Sequence, residues 1–375
     1  MNTEKIIKVL VVDDSAFMRK ALTMMLESDP YIKVIGSARD GQEACEQVKL
    51  LKPDLVTMDI EMPRMDGLTA LRNIMIENPT PVMMLSSLTT DGAGATLDAL
   101  DLGAVDFIPK ELSYVSLDIV KIKEDLLKKI KDIAQRKHIL MARHKQAAAF
   151  RRAKGDTQKL RTDIQASGAK AIPISKKEQP TLSKRNHHID IIAIGSSTGG
   201  PPALQAVITK LPRNLPVGIV VAQHMPPMFT KSLADRLNSI SQVNVKEAED
   251  GEQVLPGTVY IAQGGRHMTL RKYGTNVKIV ISDKPESTLY KPCVDVMMNS
   301  VIDIYGKSTL GVILTGMGSN GVTALTKLHG EGGKIIAQNE DSCIVYGMPR
   351  AVIEAKIADH IASIENIYAE ITSYF

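Results

Sequence analysis

At 375 residues, with 44% hydrophobic and 23% charged side chains, the chain is ordinary for a soluble globular protein and long enough for two cores of roughly 150 residues each. No apolar run approaches the ~18 residues of a membrane span, and MNTEKIIKVLVVDD turns acidic too early for a signal peptide. Three scattered cysteines (Cys45, Cys293, Cys343) form neither a disulfide framework nor a metal-ligand spacing, so a cytoplasmic protein without membrane insertion is expected. The net charge of +4 hides a division, because fourteen Lys or Arg against three Asp or Glu between Arg136 and His188 leave the rest of the chain acidic. With one aromatic, Phe150, and no sustained amphipathic pattern, that stretch reads as a solvated linker rather than a polyanion site.

In chain order, apolar runs at Ile6–Val12, Lys33–Ala38, Leu55–Met58, Val82–Leu85 and Val105–Ile108 alternate with helical patterns such as Ala16–Leu26 and Gly67–Ile76. This βα repetition implies a parallel sheet covered on both faces by helices, a compact doubly wound domain over residues 1–125. A helical tail near Leu117–Ala142 leads into the basic linker, and 126–188 is expected to connect two domains. From Ile189 a second parallel α/β domain begins, with strands at Ile189–Gly195, Gly218–Ala222, Val312–Thr315 and Lys334–Ala337. Two β-rich runs within Val259–Ile281, on either side of Lys272–Asn276, suggest a hairpin attached to its sheet.

The first domain gathers polar residues at strand ends: Asp13 and Asp14 after the first strand, Asp59 after the third, Ser86 after the fourth, Lys110 after the fifth. In an open parallel sheet these ends converge on one crevice. Three carboxylates brought together repel unless a divalent cation compensates them, and an all-oxygen set suits Mg2+. Asp59 is then placed to take a phosphoryl group, while Asp14 or Ser15 could alternatively cap the first helix. The segments VVDDSAFMRK, VTMDIEMPRMDG, PVMMLSS and GAVDFIPK resemble the motif regions of response-regulator receiver domains, whose fold is flavodoxin-like with five parallel strands. The resemblance implies Asp59 as phosphoacceptor, Asp13, Asp14 and Asp59 as Mg2+ ligands, Ser86 as switch hydroxyl, Lys110 as phosphate-contacting cation and Phe107 as aromatic switch. Glu111 departs from the proline that the family usually places there.

In the second domain, Gly195-Ser196-Ser197-Thr198-Gly199 satisfies G-x-S-x-G between a strand and a helix, a turn that can project the Ser197 hydroxyl above a sheet. A nucleotide P-loop is disfavoured, since no Gly-Lys-Ser/Thr follows and Pro201-Pro202 remove two amide donors. His224 ends the next strand and is the natural general base, ahead of His267, His329 and His360. The loop Gly316–Gly321 after a later strand supplies a third member, an order unlike that of α/β-hydrolases.

IGSSTGGPPAL, VVAQHMPPMFT, PGTVYIAQGGRHM, YKPCVDVMMNS and ILTGMGSNG resemble the catalytic domain of chemotaxis protein-glutamate methylesterases, and with the receiver the resemblance covers essentially the whole chain. It implies a phosphorylation-activated hydrolase over residues 189–375 that demethylates glutamate methyl esters on methyl-accepting chemotaxis receptors in sensory adaptation, with deamidation of receptor glutamines. Ser197 would be nucleophile and His224 base, with Met317 bordering the site and His267 a possible substrate-side contact. A chemotaxis histidine kinase would be the phosphodonor, and the hydrolase site would need no cofactor. The family places aspartate where this chain has Asn320, and an amide holds an imidazole without stabilising its charge, so a weakened or rearranged triad is expected unless Asp295 or Asp341 compensates. The alternative is a receptor-binding adaptor with little catalysis. A DNA-binding regulator fits poorly, because the positive charge lies in the linker.

Overall fold

The computed structural model describes residues 6–110, 118–144 and 187–375. Glu111 and linker residues 145–186 lie outside the described residues. The first sheet comprises β1 (Ile7–Val12), β2 (Ile32–Ala38), β3 (Leu55–Asp59), β4 (Val82–Ser86) and β5 (Asp106–Pro109), ordered β2-β1-β3-β4-β5 and parallel throughout. β3 and β4 are buried at every position, as suits largely apolar strands covered on both faces. Helices α1 (Ala16–Leu26), α2 (Gly41–Leu51), α3 (Gly67–Glu77) and α4 (Thr90–Leu102) each start at a side chain that accepts an orphan amide: Ser15 from Met18, Asp40 from Glu43, Asp66 from Thr69, Thr89 from Gly92. Ser15 is thus the cap of α1, which leaves the exposed Asp14 carboxylate at the crest.

α5 (Asp118–Gln135) runs through the boundary expected at residue 125 and continues into α6, described over residues 137–144. It buries Leu126, Ile130 and Ile133 completely, in a cluster that also holds Met317 and Val345 of the second domain. The two domains therefore share apolar packing.

The second sheet has seven strands: β6 (Ile191–Ser196), β7 (Gly218–Gln223), β8 (Asn244–Glu247), β9 (Thr258–Ile261), β12 (Thr309–Ile313), β13 (Lys334–Gln338) and β14 (His360–Ala362). Their order is β14-β13-β12-β6-β7-β9-β8, and every pairing is parallel. The hairpin β10 (His267–Tyr273) and β11 (Asn276–Ser282) forms a sheet of its own, so the expected attachment to the parallel sheet is corrected; Val259–Ile261 belongs to β9 instead. Helices α7 (Gly200–Ile208), α8 (Phe229–Ile240), α9 (Val294–Tyr305), α10 (Val322–Gly330), α11 (Met348–Glu354) and α12 (Ile367–Thr372) cover the sheet. The chain leaves central β6 for β7 on one side and returns as β12 on the other, which puts a topological switch point at β12/β6. In the first sheet the corresponding point lies between β1 and β3.

Candidate active site

At the first switch point Asp13, Asp14 and Asp59 each offer an oxygen, all within 4.8 Å of one another. The Lys110 ammonium stands 2.5 Å from Asp59 Oδ2 and 3.7 Å from Asp13 Oδ2. Burial pushes the Asp59 carboxyl up to about 6 despite that ammonium, and burial raises Asp13 as well. Asp13 Oδ2 is buried and accepts no hydrogen bond. Three carboxylates against one ammonium leave an oxygen-only cluster of net negative charge, which a hard divalent cation fits. Ser86 is buried and turned toward α4: its hydroxyl donates toward Gly92 O at 3.2 Å and accepts from Thr96 Oγ1 at 2.6 Å. Phe107 is also buried, and its ring stacks on Phe229 of α8, with centroids 4.7 Å apart and planes at 14°.

At the second switch point Ser197 follows β6, His224 follows β7 and Asn320 follows β12, three neighbouring strands. His224 Nδ1 lies 3.2 Å from Ser197 Oγ, and Nε2 lies 2.9 Å from Asn320 Oδ1. The Val294 amide donates to the same Oδ1 at 2.8 Å, so the atom facing His224 is the amide oxygen. Nε2 must then carry the proton, and the Nδ1 lone pair faces the serine hydroxyl. Gln223, fully buried, ties the strands together: its Nε2 donates to Ser197 O at 2.9 Å and to His224 O at 3.1 Å, while its Oε1 accepts from Ser196 Oγ at 2.6 Å. Close approach is needed at Gly316, where a Cβ would fall 2.9 Å from that of Ser197 and 2.3 Å from Met348 Sδ.

Tyr290 stacks on the His224 ring, with centroids 4.3 Å apart at 15°. Ser197 lines a cavity of about 280 Å³ whose walls come from both domains: Phe107, Pro109, Asp125 and Lys129 on one side, Ser197, His224 and Tyr290 among those on the other. In this setting burial pushes the His224 imidazole down to about 4, against the hydrogen bond to Asn320 and the nearby Asp125. Lys129 is ion-paired to Asp106 at 2.9 Å and Asp125 at 3.3 Å.

Met317 is buried beside α5 and lines a neighbouring cavity with Asp125 and Tyr290, not the one that holds Ser197 and His224. His267 is not on the substrate side: it is 1% exposed, accepts the Cys293 amide on Nδ1 at 3.3 Å and places Nε2 3.2 Å from Pro285 O, so it braces the loop before α9. Of the two compensating aspartates considered, Asp295 lies behind Asn320, 2.7 Å from Nδ2, whereas Asp341 is an exposed residue of the 3-10 turn Glu340–Ser342. Gln223, Tyr290 and the α5 pair Asp125 and Lys129 were not foreseen. Gln223, directly before His224 at a strand end, carried a usable signal; Tyr290 sits in an irregular loop and carried none.

A receiver-type sheet with an acidic crest, packed over a parallel sheet whose crest links serine, histidine and asparagine, defines a class: a response regulator whose output domain is a hydrolase. The sequence pattern of the CheB methylesterase family matches residues 192–371, and that of the response regulator receiver domain matches residues 9–119. The protein-glutamate methylesterase/protein-glutamine glutaminase 1 of Oleidesulfovibrio alaskensis is 50% identical over 96% of this chain and 97% of its own. Protein 2 of the same name from Nitratidesulfovibrio vulgaris is 49% identical over 97% and 98%, and the counterpart of Methanococcus maripaludis is 44% identical over 98% of both. The chain belongs to the protein-glutamate methylesterase/protein-glutamine glutaminase family. No helix among the described residues is long and apolar enough to cross a membrane.

Proposed function

We propose that this chain hydrolyses glutamate methyl esters, and deamidates glutamines, on the cytoplasmic helices of methyl-accepting chemotaxis receptors, under control of a receiver at residues 1–125. Residues 126–188 connect it to the hydrolase at 189–375. The observation that carries this reading is the hydrogen-bonded chain Ser197 Oγ, His224 Nδ1, His224 Nε2, Asn320 Oδ1 at the crest of three adjacent strands. Ser197 Oγ attacks the ester carbonyl while its proton passes to His224 Nδ1. The donors to the developing oxyanion come from amide N–H groups of the turn entering α7 other than those of Ser197 and Gly200, which already donate to Thr315 O and Ser197 O. His224 returns the proton to the leaving methoxide, which departs as methanol, or, when the substrate is an amide, to the amide nitrogen, which departs as ammonia. A water, deprotonated by His224, then releases glutamate and restores Ser197.

Asp59 is the phosphoacceptor, a chemotaxis histidine kinase the donor, and Asp13, Asp14 and Asp59 the residues that would hold Mg2+. When bound, the cation neutralises charge on the transferring phosphoryl oxygens. Lys110 contacts the acquired phosphoryl group, and Ser86 turns from Gly92 to meet it. Phe107 lies against α8 and carries the change into the interface. Gating follows from position, because Phe107, Pro109, Asp125 and Lys129 wall the cavity that holds Ser197 and His224 from the receiver side. The domains must part before a receptor helix can present its ester. The adaptor reading gains nothing from Asn320, which remains hydrogen-bonded to the base.

Methanol release from methylated receptor tests the proposal. Wild type treated with a small phosphodonor is expected to exceed untreated enzyme, Ser197→Ala to release none, and Asp59→Asn to stay at the untreated rate. Methanol release by Ser197→Ala equal to wild type would remove the hydrolase mechanism, and full activation of Asp59→Asn would remove the gating.

A further inference from the structure

Asn320 cannot supply negative charge, yet the side chain behind it can. Asp295, in the first turn of α9, accepts Asn320 Nδ2 at 2.7 Å and Gly321 N at 2.9 Å on Oδ2, and Ala324 N at 2.9 Å on Oδ1. Three donors and no acceptor face this carboxylate, an arrangement that suits the ionised form. Reversing the Asn320 amide would set its oxygen against Asp295 Oδ2 and its NH2 against the Val294 amide. Each of those contacts is repulsive, so Asp295 and Val294 together leave the amide one orientation. Charge acts in the same direction. A carboxylate bonded to the NH2 end of an amide polarises electron density toward its oxygen, the atom that receives the His224 Nε2–H.

We infer that Asp295 is the charged positioning residue of this hydrolase, acting on His224 through the Asn320 amide, so that the triad is extended to Ser197–His224–Asn320–Asp295. The inference rests on the hydrolase reading given above. As His224 takes the serine proton it becomes a cation, and the Asn320 oxygen, backed by Asp295, receives the strengthened Nε2–H bond. The proton bound to Nε2 stays there throughout, and Asp295 neither gains nor loses one.

The isosteric change Asp295→Asn removes the charge. It is expected to lower kcat for methanol release by at least about 10-fold with KM little changed, and to lower the His224 pKa read from its ring protons by NMR. Asp125 and Lys129 of α5, which also face the ring, are the same in both proteins. The swap Asp295→Asn with Asn320→Asp puts the carboxylate directly on Nε2 with an amide behind it, and is expected to restore kcat to wild type or better; a purely structural cap would give no such rescue. Asn320→Asp alone sets two carboxylates in contact, so a shared proton should add an ionisation above the ordinary carboxylate range to the kcat pH profile, absent from the swap. Unchanged kcat and His224 pKa in Asp295→Asn, a swap no more active than Asp295→Asn alone, or an Asn320→Asp profile without the added ionisation would each overturn the inference. The NMR titration reads Asp295 whether or not the protein turns over, and Ser197→Ala alone reads the hydrolase mechanism, so the two failures are distinguishable.

Discussion

Tyr290 steadies the His224 ring from its face, beside the hydrogen bond that Asn320 makes to its edge. Its ring lies nearly parallel to the His224 imidazole at 4.3 Å, limiting the tilt of the base, and the face of its π-system is attractive to the imidazolium that forms when Ser197 gives up its proton. Such a contact is worth about 0.5–1 kcal/mol, which corresponds to about two- to fivefold in rate. Tyr290→Phe keeps the ring and is expected to retain kcat, while Tyr290→Ala should lose that factor; steady-state methanol release measures both. Equal losses in the two variants would assign the effect to the hydroxyl instead. Asp13, Ser197 and His224 were legible in sequence because a buried parallel strand ends abruptly and the next residue sits at the crest, and Asp59 because it closes such a strand. Tyr290 follows no strand and no period, and the part played by Asp295 depends on α9 meeting α10, a contact no local pattern reveals.

Between elements, the decisive contact is that of α8 with α4 and β5. Arg236 on α8 donates to Asp98 at 2.7 Å and also pairs with Asp101, both on α4, while Phe229 at the start of the same helix stacks on Phe107. Arg136 and Arg143 hold the second domain from the other side: the Arg136 guanidinium donates to Glu340 O at 2.5 Å, and that of Arg143 to Ser342 O at 2.6 Å. The four parallel strands named from sequence in the second domain, and the hairpin, are found there, with β12 lying earlier, at Thr309–Ile313, than the expected Val312–Thr315. β8 and β14 were missed because NVKE buries little and HIA has only three residues. Interdomain pairing was illegible for a different reason, since Arg236, Asp98 and Asp101 look like solvated charges on separate amphipathic helices. Partly exposed pairs of this kind contribute about 0.5 kcal/mol each. Arg236→Ala is therefore expected to raise methanol release by unphosphorylated enzyme about two- to fivefold, with the phosphorylated rate unchanged. Added salt should raise the wild-type basal rate in the same direction and Arg236→Ala less. A basal rate insensitive to both would show that this contact does not hold the receiver down.

For the whole molecule, docking of the receiver and protonation of the base are linked. Beneath the receiver, burial holds His224 at about 4; with the domains apart and water at the ring, it returns toward its ordinary value near 6.5. The other charged groups facing it are Asp125 and Lys129 on α5 and Asp295 behind Asn320. Lys129 keeps its charge, because Asp106 and Asp125 overcome the opposing effect of burial. The docked state has the lower pKa and binds fewer protons, so its advantage is full above about 6.5. It is lost progressively as pH falls from there to about 4, with no further change below. Between pH 7.5 and 5.5 the docked-to-open ratio of unphosphorylated enzyme should fall about tenfold. Turnover cannot report this, because the same proton that opens the cleft disables the base. The distance between spin labels on α4 and α8 reads the ratio directly, and His224→Gln, which cannot take the proton, should show a much flatter response. A wild-type ratio independent of pH, or a His224→Gln ratio that falls as steeply as that of wild type, would place the linkage elsewhere in the interface.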